Sequence, residues 1–350
     1  MNAQEAPQGM IPSLDGLRAA AIVIVFASHA GLSAAIPGGF GVTVFFFLSG
    51  YLITTLLQRE YDRTGGVDLG AFYMRRVLRL GPAILVTLTL GSVLVWLGIF
   101  GGEVEWRTLS SQLFFYYNYF TQFGEVHEIA GTGVLWSLSV EEHFYLLWPV
   151  LFLGIARGWY GGRAVLALLL GSLVWRWVRF SLLGHDEWTI YQSSDTRMDS
   201  LLFGCLLALM QARGVAARWM PQGAVRIWIV MGAAAVILLG FVIRDPMFRS
   251  TWRYSVQGAA LMPLFHYAVT RADDWYFRPL NWPWVKWIGI YSFTFYLCHH
   301  SVILAMERFG IASGSVQMAL AAGTVSLGYA ALVHWLIERP VMVLRRRFAR

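Results

Sequence analysis

Charge is what this sequence has least of. Only 13% of its 350 residues are Asp, Glu, Lys or Arg, roughly half the share that a water-soluble chain needs to cover its surface. A soluble globular protein is thereby excluded, and most of the surface must face lipid. Cysteine is nearly absent too: Cys205 and Cys298 both sit inside apolar runs, so no extracellular disulfide framework is expected and the redox compartment stays undetermined. The chain has no HExxH, no CxxC and no carboxylate cluster at metal-ligand spacing. No metal and no redox cofactor is therefore expected. Internal repeats, low-complexity segments and an interdomain linker are also missing.

What remains is apolar. Hydrophobic residues make up 57% of the chain and the mean hydropathy is +0.56, the composition of a multi-span membrane protein. A net charge of +7 would suit a nucleic-acid binder, yet the basic residues are scattered between apolar runs. The positive-inside bias explains them better, and no nucleic-acid partner is expected. The 16 tryptophans and 15 tyrosines fit interfacial belts, with some left for the core.

Apolar runs of span length predict an all-α integral membrane protein with about ten transmembrane helices, centred near residues 27, 48, 89, 148, 173, 206, 234, 262, 296 and 327. An even number of spans puts both termini on one side. Most of the 27 basic residues then fall on that side, which makes the termini cytosolic. The connector at 244–253 is a positive outer loop that runs against this bias, and neither it nor 211–226 has an evident chemistry. A signal peptide over residues 19–36, with Ala34 and Ala35 imitating a cleavage site, is rejected: its start is poorly basic, and Ser28 and His29 break its apolar core.

The stretch Ser13 to His29 carries Arg18 and His29 into an otherwise apolar helix. Eleven residues return His29 to within about 20° of the Arg18 face and roughly 16 Å along the axis, near the middle of the membrane. Ionisable groups inside a span are costly enough to be functional by default. The other reading is a histidine bonded to a neighbouring helix. In FYMRRVLRLGP, Arg75 and Arg79 share a helical face and Arg76 lies one step round; this is either an anion site or a cluster that holds the loop inside.

The longest outer stretch, 101–133, contains Glu103, Glu105, Glu125 and Glu128 and is predicted to hold an interfacial helix over 109–120. In LWSLSVEEHFYLLWP, Ser137 and Glu141 fall on one face, while Glu142 and His143 point elsewhere. One of the two carboxylates could instead cap the helix N-terminus. Arg176, Arg179, His185, Asp186 and Glu187 read as an outer charged rim, and Asp195, Arg197 and Asp199 as a solvated Arg/Asp run. His299 and His300 are adjacent, point about 100° apart on a helix and cannot readily share one metal. The last span reads as ending at Pro340 before a basic tail suited to anionic lipid.

Taken in order, SLDGLRAAAIVIVFASH, GVTVFFFLSGYLI, FYMRRVLRLGP, LWSLSVEEHFYLLWP, DTRMDSLLFG, YSFTFYLCHH and the terminal ERP resemble the membrane-bound acyltransferase-3 family from about Ser13 to Pro340. The likeness implies one transmembrane domain over 1–350, with short cytosolic tails at 1–12 and 341–350, as in members without an appended soluble domain. It implies O-acetylation of a cell-surface or exported glycan from cytosolic acyl-CoA, in the bacterial cytoplasmic (inner) membrane; some members instead acylate small molecules such as macrolides. Matched by position, Arg18 and His29 fit the family's Arg-x10-His, and Ser137 and Glu141 its Ser-xxx-Glu. Many relatives have Arg-x-Arg where this chain has Arg76 and Arg79, which leaves the phosphate-clamping pair open. Thr43, His143 and Cys298 stand where an acid, glutamine and tryptophan are common.

The expected chemistry joins both lines. His29 is the base that takes the acceptor hydroxyl's proton, with Glu141 orienting it or stabilising the imidazolium and Ser137 in support. Arg18, Arg75, Arg76 and Arg79 suit the phosphates of coenzyme A, and Asp195 and Asp199 the acceptor. The co-substrate is acyl-CoA, and no cofactor is held. The competing function is a proton-coupled transporter or flippase for glycans, in which His29 and Glu141 would relay protons.

Overall fold

The computed structural model describes residues 11–33, 36–160 and 162–345. Residues 1–10, the Ala34–Ala35 step and the basic residues beyond 345 lie outside the described residues. The chain is a helical bundle. In order the helices are α1 (Leu14–Ala27), α2 (Gly38–Thr64), α3 (Leu69–Trp96), the short α4 (Trp106–Leu113) and α5 (Tyr117–Phe120), then α6 (Trp136–Ala156), α7 (Arg163–Ser181) and α8 (Glu187–Gln192). There follow α9 (Ser194–Ala212), α10 (Ala216–Trp219), α11 (Val225–Val242), α12 (Arg253–Thr270), α13 (Pro283–Arg308), α14 (Val316–Val333) and α15 (Arg339–Arg345).

Eight segments among the described residues are long and apolar enough to cross a membrane, and every one matches a predicted span. The sixth and eighth expected spans, α9 and α12, fall outside that set. Both are nonetheless helices of span length, 19 and 18 residues. Helix α9 carries Asp195, Arg197 and Asp199 in its first two turns, and it tolerates them because it is packed inside the bundle rather than against lipid.

Two helices form the centre. About two thirds of the apolar window of α2 and 72% of that of α13 are buried, against 17% for α11, whose Leu and Val side chains face outward. Helix α2 packs on α9 through glycine: a Cβ at Gly50 would stand 2.0 Å from the Leu201 carbonyl oxygen, and one at Gly204 equally close to that of Phe47. Such close approach is how helices gain contact where no hydrophobic drive separates protein from lipid.

Helices α1 and α13 run side by side in parallel. The Ser13 amide donates to Asn281 Oδ1 at 3.0 Å, and Asn281 Nδ2 donates to Ser13 Oγ at 2.8 Å, tying the two starts together. At 1.5 Å per residue, His29 then stands about 24 Å beyond that tie and His299 about 27 Å. The register therefore brings the two histidines to one level.

Two expectations about helix ends change. The chain does not stop at Pro340 but passes from α14 through a π-turn, His334–Glu338, into α15, since a wide turn accepts a residue that lacks an amide donor. His29 is not at mid-span: it lies in a π-turn, Ser28–Leu32, that closes the 19-residue segment Leu14–Leu32. Gly31, at φ +103°, ends that turn where a side chain would strike the Gly314 amide.

Candidate active site

The functional side chains fall into two cavities. The larger, about 1340 Å³, opens beside the end of α1 and is lined by His29, His300, Glu128, Trp136, Glu187 and Tyr191, with further residues of α12 and the loop before it. The smaller, about 100 Å³, lies near the start of α1 and is lined by Arg18, Arg76, Arg79, Ser137, Glu141 and Tyr145. Val42 and Tyr296 line both and form the wall between them.

His29 and His300 line the larger cavity, and the buried His299 lies behind them. His29 Nδ1 lies 2.9 Å from His299 Nε2, and His299 Nδ1 lies 2.8 Å from the Tyr296 carbonyl oxygen. A carbonyl only accepts, so the hydrogen-bond network assigns the proton of neutral His299 to Nδ1 and leaves its Nε2 a lone pair. His29 must then donate from Nδ1. Its Nε2 carries the free lone pair, on a residue that lines the cavity. His299 is fully buried, and His300 stacks on His29 with ring centroids 4.4 Å apart. The loop before α6 closes against this group: Gly131, at φ +85°, lies so near that a Cβ would stand 2.4 Å from the Ser301 amide.

Glu141 does not orient His29. It belongs to the smaller cavity, where Ser49 Oγ donates to Oε1 at 3.1 Å and Tyr145 OH to Oε2 at 3.2 Å. The reason is the direction of α6, which begins at Trp136 and carries Ser137 and Glu141 on one face toward the arginines. Neither Glu141 nor Glu142 caps that helix, because both lie beyond its first turn. Ser137 shares a 2.8 Å hydrogen bond with Tyr296 OH on the dividing wall.

The arginine cluster divides. Arg76 lies over the Tyr145 ring, 4.7 Å from its centroid, and Arg79 lines the same cavity. Arg75 turns away to Glu60, with Nη2 at 3.0 Å from Oε2. Arg18 joins Arg76 and Arg79 and bonds Asp15 at 2.6 Å. The sequence left open which pair works together; the structure brings Arg76 and Arg79 into one cavity with Arg18 and leaves Arg75 outside it.

The acidic rim is corrected most. Asp199 and Arg176 are both fully buried and pair at 2.8 Å, while Asp195 is taken up by Arg179 at 2.9 Å, Tyr119 and Trp175. Neither aspartate lines either cavity. They look solvated in sequence because every partner is distant in the chain or on another helix. Arg197, between them, is also buried: it lies 3.9 Å from the Tyr254 ring centroid, and its Nη2 donates to Thr43 Oγ1 at 3.0 Å. Ring faces thus supply part of what an acid at Thr43 would give.

Where a single helix over 109–120 was expected, the chain forms two, α4 and α5, interrupted at 114–116, where Phe115 takes a positive φ of 58°. Tyr117 of α5 donates its hydroxyl to Glu128. Burial pushes the Glu128 carboxyl above its ordinary range.

Helices carrying ionisable side chains into paired internal cavities define an integral membrane protein built for chemistry or transport inside the bundle. Sequence comparison narrows this. The family model described as an acyltransferase domain matches residues 11–339, and the chain belongs to that acyltransferase-3 family, as its motifs led us to expect. It is 29% identical over 319 residues to the peptidoglycan O-acetyltransferase OatA of Listeria monocytogenes, a match covering 84% of this chain and 49% of that protein. It is 33% identical over 322 residues to YrhL of Bacillus subtilis, provisionally named a peptidoglycan O-acetyltransferase, with 84% and 49% covered. A provisionally named O-acetyltransferase of Staphylococcus aureus strain COL is 30% identical over 352 residues, covering 94% of this chain and 57% of that one. The chain spans about half the length of these relatives. No solved structure matches.

Proposed function

We propose that this chain transfers an acetyl or other short acyl group from acyl-CoA to a glycan hydroxyl, working as one ten-span domain of the bacterial cytoplasmic membrane with both termini cytosolic. Acyl-CoA serves from the arginine side, and the glycan enters from the His29 side. The observation that carries the reading is the shared wall: a basic cavity and a histidine-bearing cavity meet at Val42 and Tyr296.

Size supports the assignment of sides. A drug-sized ligand fills roughly 300–1,000 Å³. The larger cavity, at about 1340 Å³, has room for several sugar rings. The smaller, at about 100 Å³, cannot take a nucleotide but can take the tip of a slender arm. In this reading Arg18, Arg76 and Arg79 hold the phosphates at the mouth by bidentate hydrogen bonds, and the pantetheine end passes Glu141 and Ser137 toward the wall.

The transfer itself is direct. His29 Nε2 takes the proton of the acceptor hydroxyl, the oxygen bonds to the thioester carbonyl carbon, and the C–S bond breaks. The proton on His29 then passes to the departing thiolate, giving the free thiol. His299 holds His29 in the tautomer that presents Nε2, the part first expected of Glu141.

Sided vesicles test the proposal. With acyl-CoA sealed on the terminus-bearing face and acceptor supplied only on the other, acylated acceptor and free coenzyme A thiol should appear together. A transporter would release no thiol. Product that required both substrates on the terminus-bearing face would replace the through-membrane route with cytosolic acylation of a precursor or small molecule.

A further inference from the structure

The positive connector at 244–253 has no topogenic explanation, since it lies on the side that the charge bias should leave poor in arginine. The structure gives it a place. Arg244, Arg249 and Arg253 all line the cavity that holds His29. We infer that this cavity selects an acidic saccharide, one bearing carboxylate groups, and that these three arginines bind its acid while a hydroxyl meets His29. This deepens the proposed function by naming the acceptor class, and it rests on reading the larger cavity as the acceptor chamber.

The charge balance at the wall is the argument. A single carboxylate, Glu187, serves two guanidinium groups, Arg249 at 2.9 Å and Arg253 at 3.3 Å. Arg244 has no carboxylate within ion-pair distance among the described residues. Its neighbour Asp245 is used elsewhere, accepting from the Phe248 amide at 2.7 Å. The remaining acid of the cavity, Glu128, is engaged by Tyr117. An excess of guanidinium is therefore left facing the chamber.

The shape favours a carboxylate on a sugar. Glu187 already shows that a carboxylate fits between two of these guanidinium groups. Trp136, Trp188 and Tyr191 on the same walls offer ring faces for the flat apolar side of a pyranose. A hydrogen bond between charged groups is worth about 1.5–3 kcal/mol, or roughly a ten- to hundredfold change in affinity.

Binding without a donor tests this apart from catalysis. With the full chain in nanodiscs and no acyl-CoA, tryptophan fluorescence should report trigalacturonate binding about tenfold more tightly than its methyl ester. Higher salt should shrink the difference. Arg244→Gln, which breaks no ion pair, should abolish the preference, and Arg244→Lys should restore part of it. Equal affinity for acid and ester in the wild type, or a preference that survives Arg244→Gln, overturns the inference. So does binding of glycerol 3-phosphate with neither saccharide bound, which would assign the arginines to a lipid headgroup. Failed acyl transfer with the binding preference intact would count against the catalytic reading alone.

Discussion

Ser137 and Tyr296 share a hydrogen bond of 2.8 Å on the wall between the two cavities, and the Tyr296 hydroxyl reaches the Val134 carbonyl at the same distance. The Ser-xxx-Glu face of α6 is thus fastened to α13 where the acyl group would have to pass. Tyr296→Phe removes the hydroxyl and leaves Ser137 and the Val134 carbonyl only the 3.2 Å hydrogen bond between them, which should cost about 1 kcal/mol of stability. It should also lower turnover about tenfold by loosening the alignment of thioester and base, with the KM for acyl-CoA unchanged. Thermal unfolding in detergent and steady-state kinetics read both effects. A raised donor KM at full turnover would make Tyr296 a donor contact instead of part of the wall.

The arginines separate by partner. Arg76 and Arg79 line the smaller cavity, whereas Arg75 is bound to Glu60. Lysine keeps the charge, and with it the orientation of the span, but gives up bidentate phosphate geometry. Arg76→Lys and Arg79→Lys should each raise the KM for acyl-CoA, and Arg75→Lys should leave it in place. Donor kinetics untouched in all three variants would return the cluster to a topogenic role.

How much of this was legible in the sequence depends on separation along the chain. The apolar runs marked where helices form, and the i, i+4 spacing of Ser137 and Glu141 put them on one face, as found. Periodicity describes one helix at a time, however. The parallel pairing of α1 with α13 joins residues 270 positions apart, so His299 could be weighed only as half of an adjacent pair unsuited to a metal. The same limit hid the inward turn of Arg176, Arg179, Asp195 and Asp199: a charged run reads as solvated until the helices that cover it are known.

Asp199 offers a direct test of that correction. Its carboxylate and the Arg176 guanidinium are both fully buried, and removing one member of such a pair strands the other charge. Asp199→Asn should destabilise the protein by about 3–5 kcal/mol, read as a lower yield of folded protein and a lower unfolding temperature. Material that does fold should keep the wild-type KM for the acceptor. A large rise in acceptor KM with stability unchanged would put Asp199 back among the acceptor contacts.

His299 carries the most exacting prediction, because packing and hydrogen bonding there can be separated. Its ring stacks on Phe295, with centroids 5.9 Å apart, and meets the edge of Phe26, while its Nε2 accepts from His29 Nδ1. Phenylalanine keeps the apolar contacts and removes the acceptor; glutamine keeps an acceptor and gives up the ring. If His299 fixes the tautomer of His29, His299→Phe should lose about a hundredfold in turnover, the lower end of what a positioned base contributes, at near-normal stability. His299→Gln should recover a substantial part of that loss despite poorer packing. His29→Ala should insert normally and lose transfer altogether, setting the floor for the comparison. Turnover near wild type in His299→Phe, with His299→Gln the damaged variant, would show that the ring serves only to pack the helices, and His29 would have to present its base without help from α13.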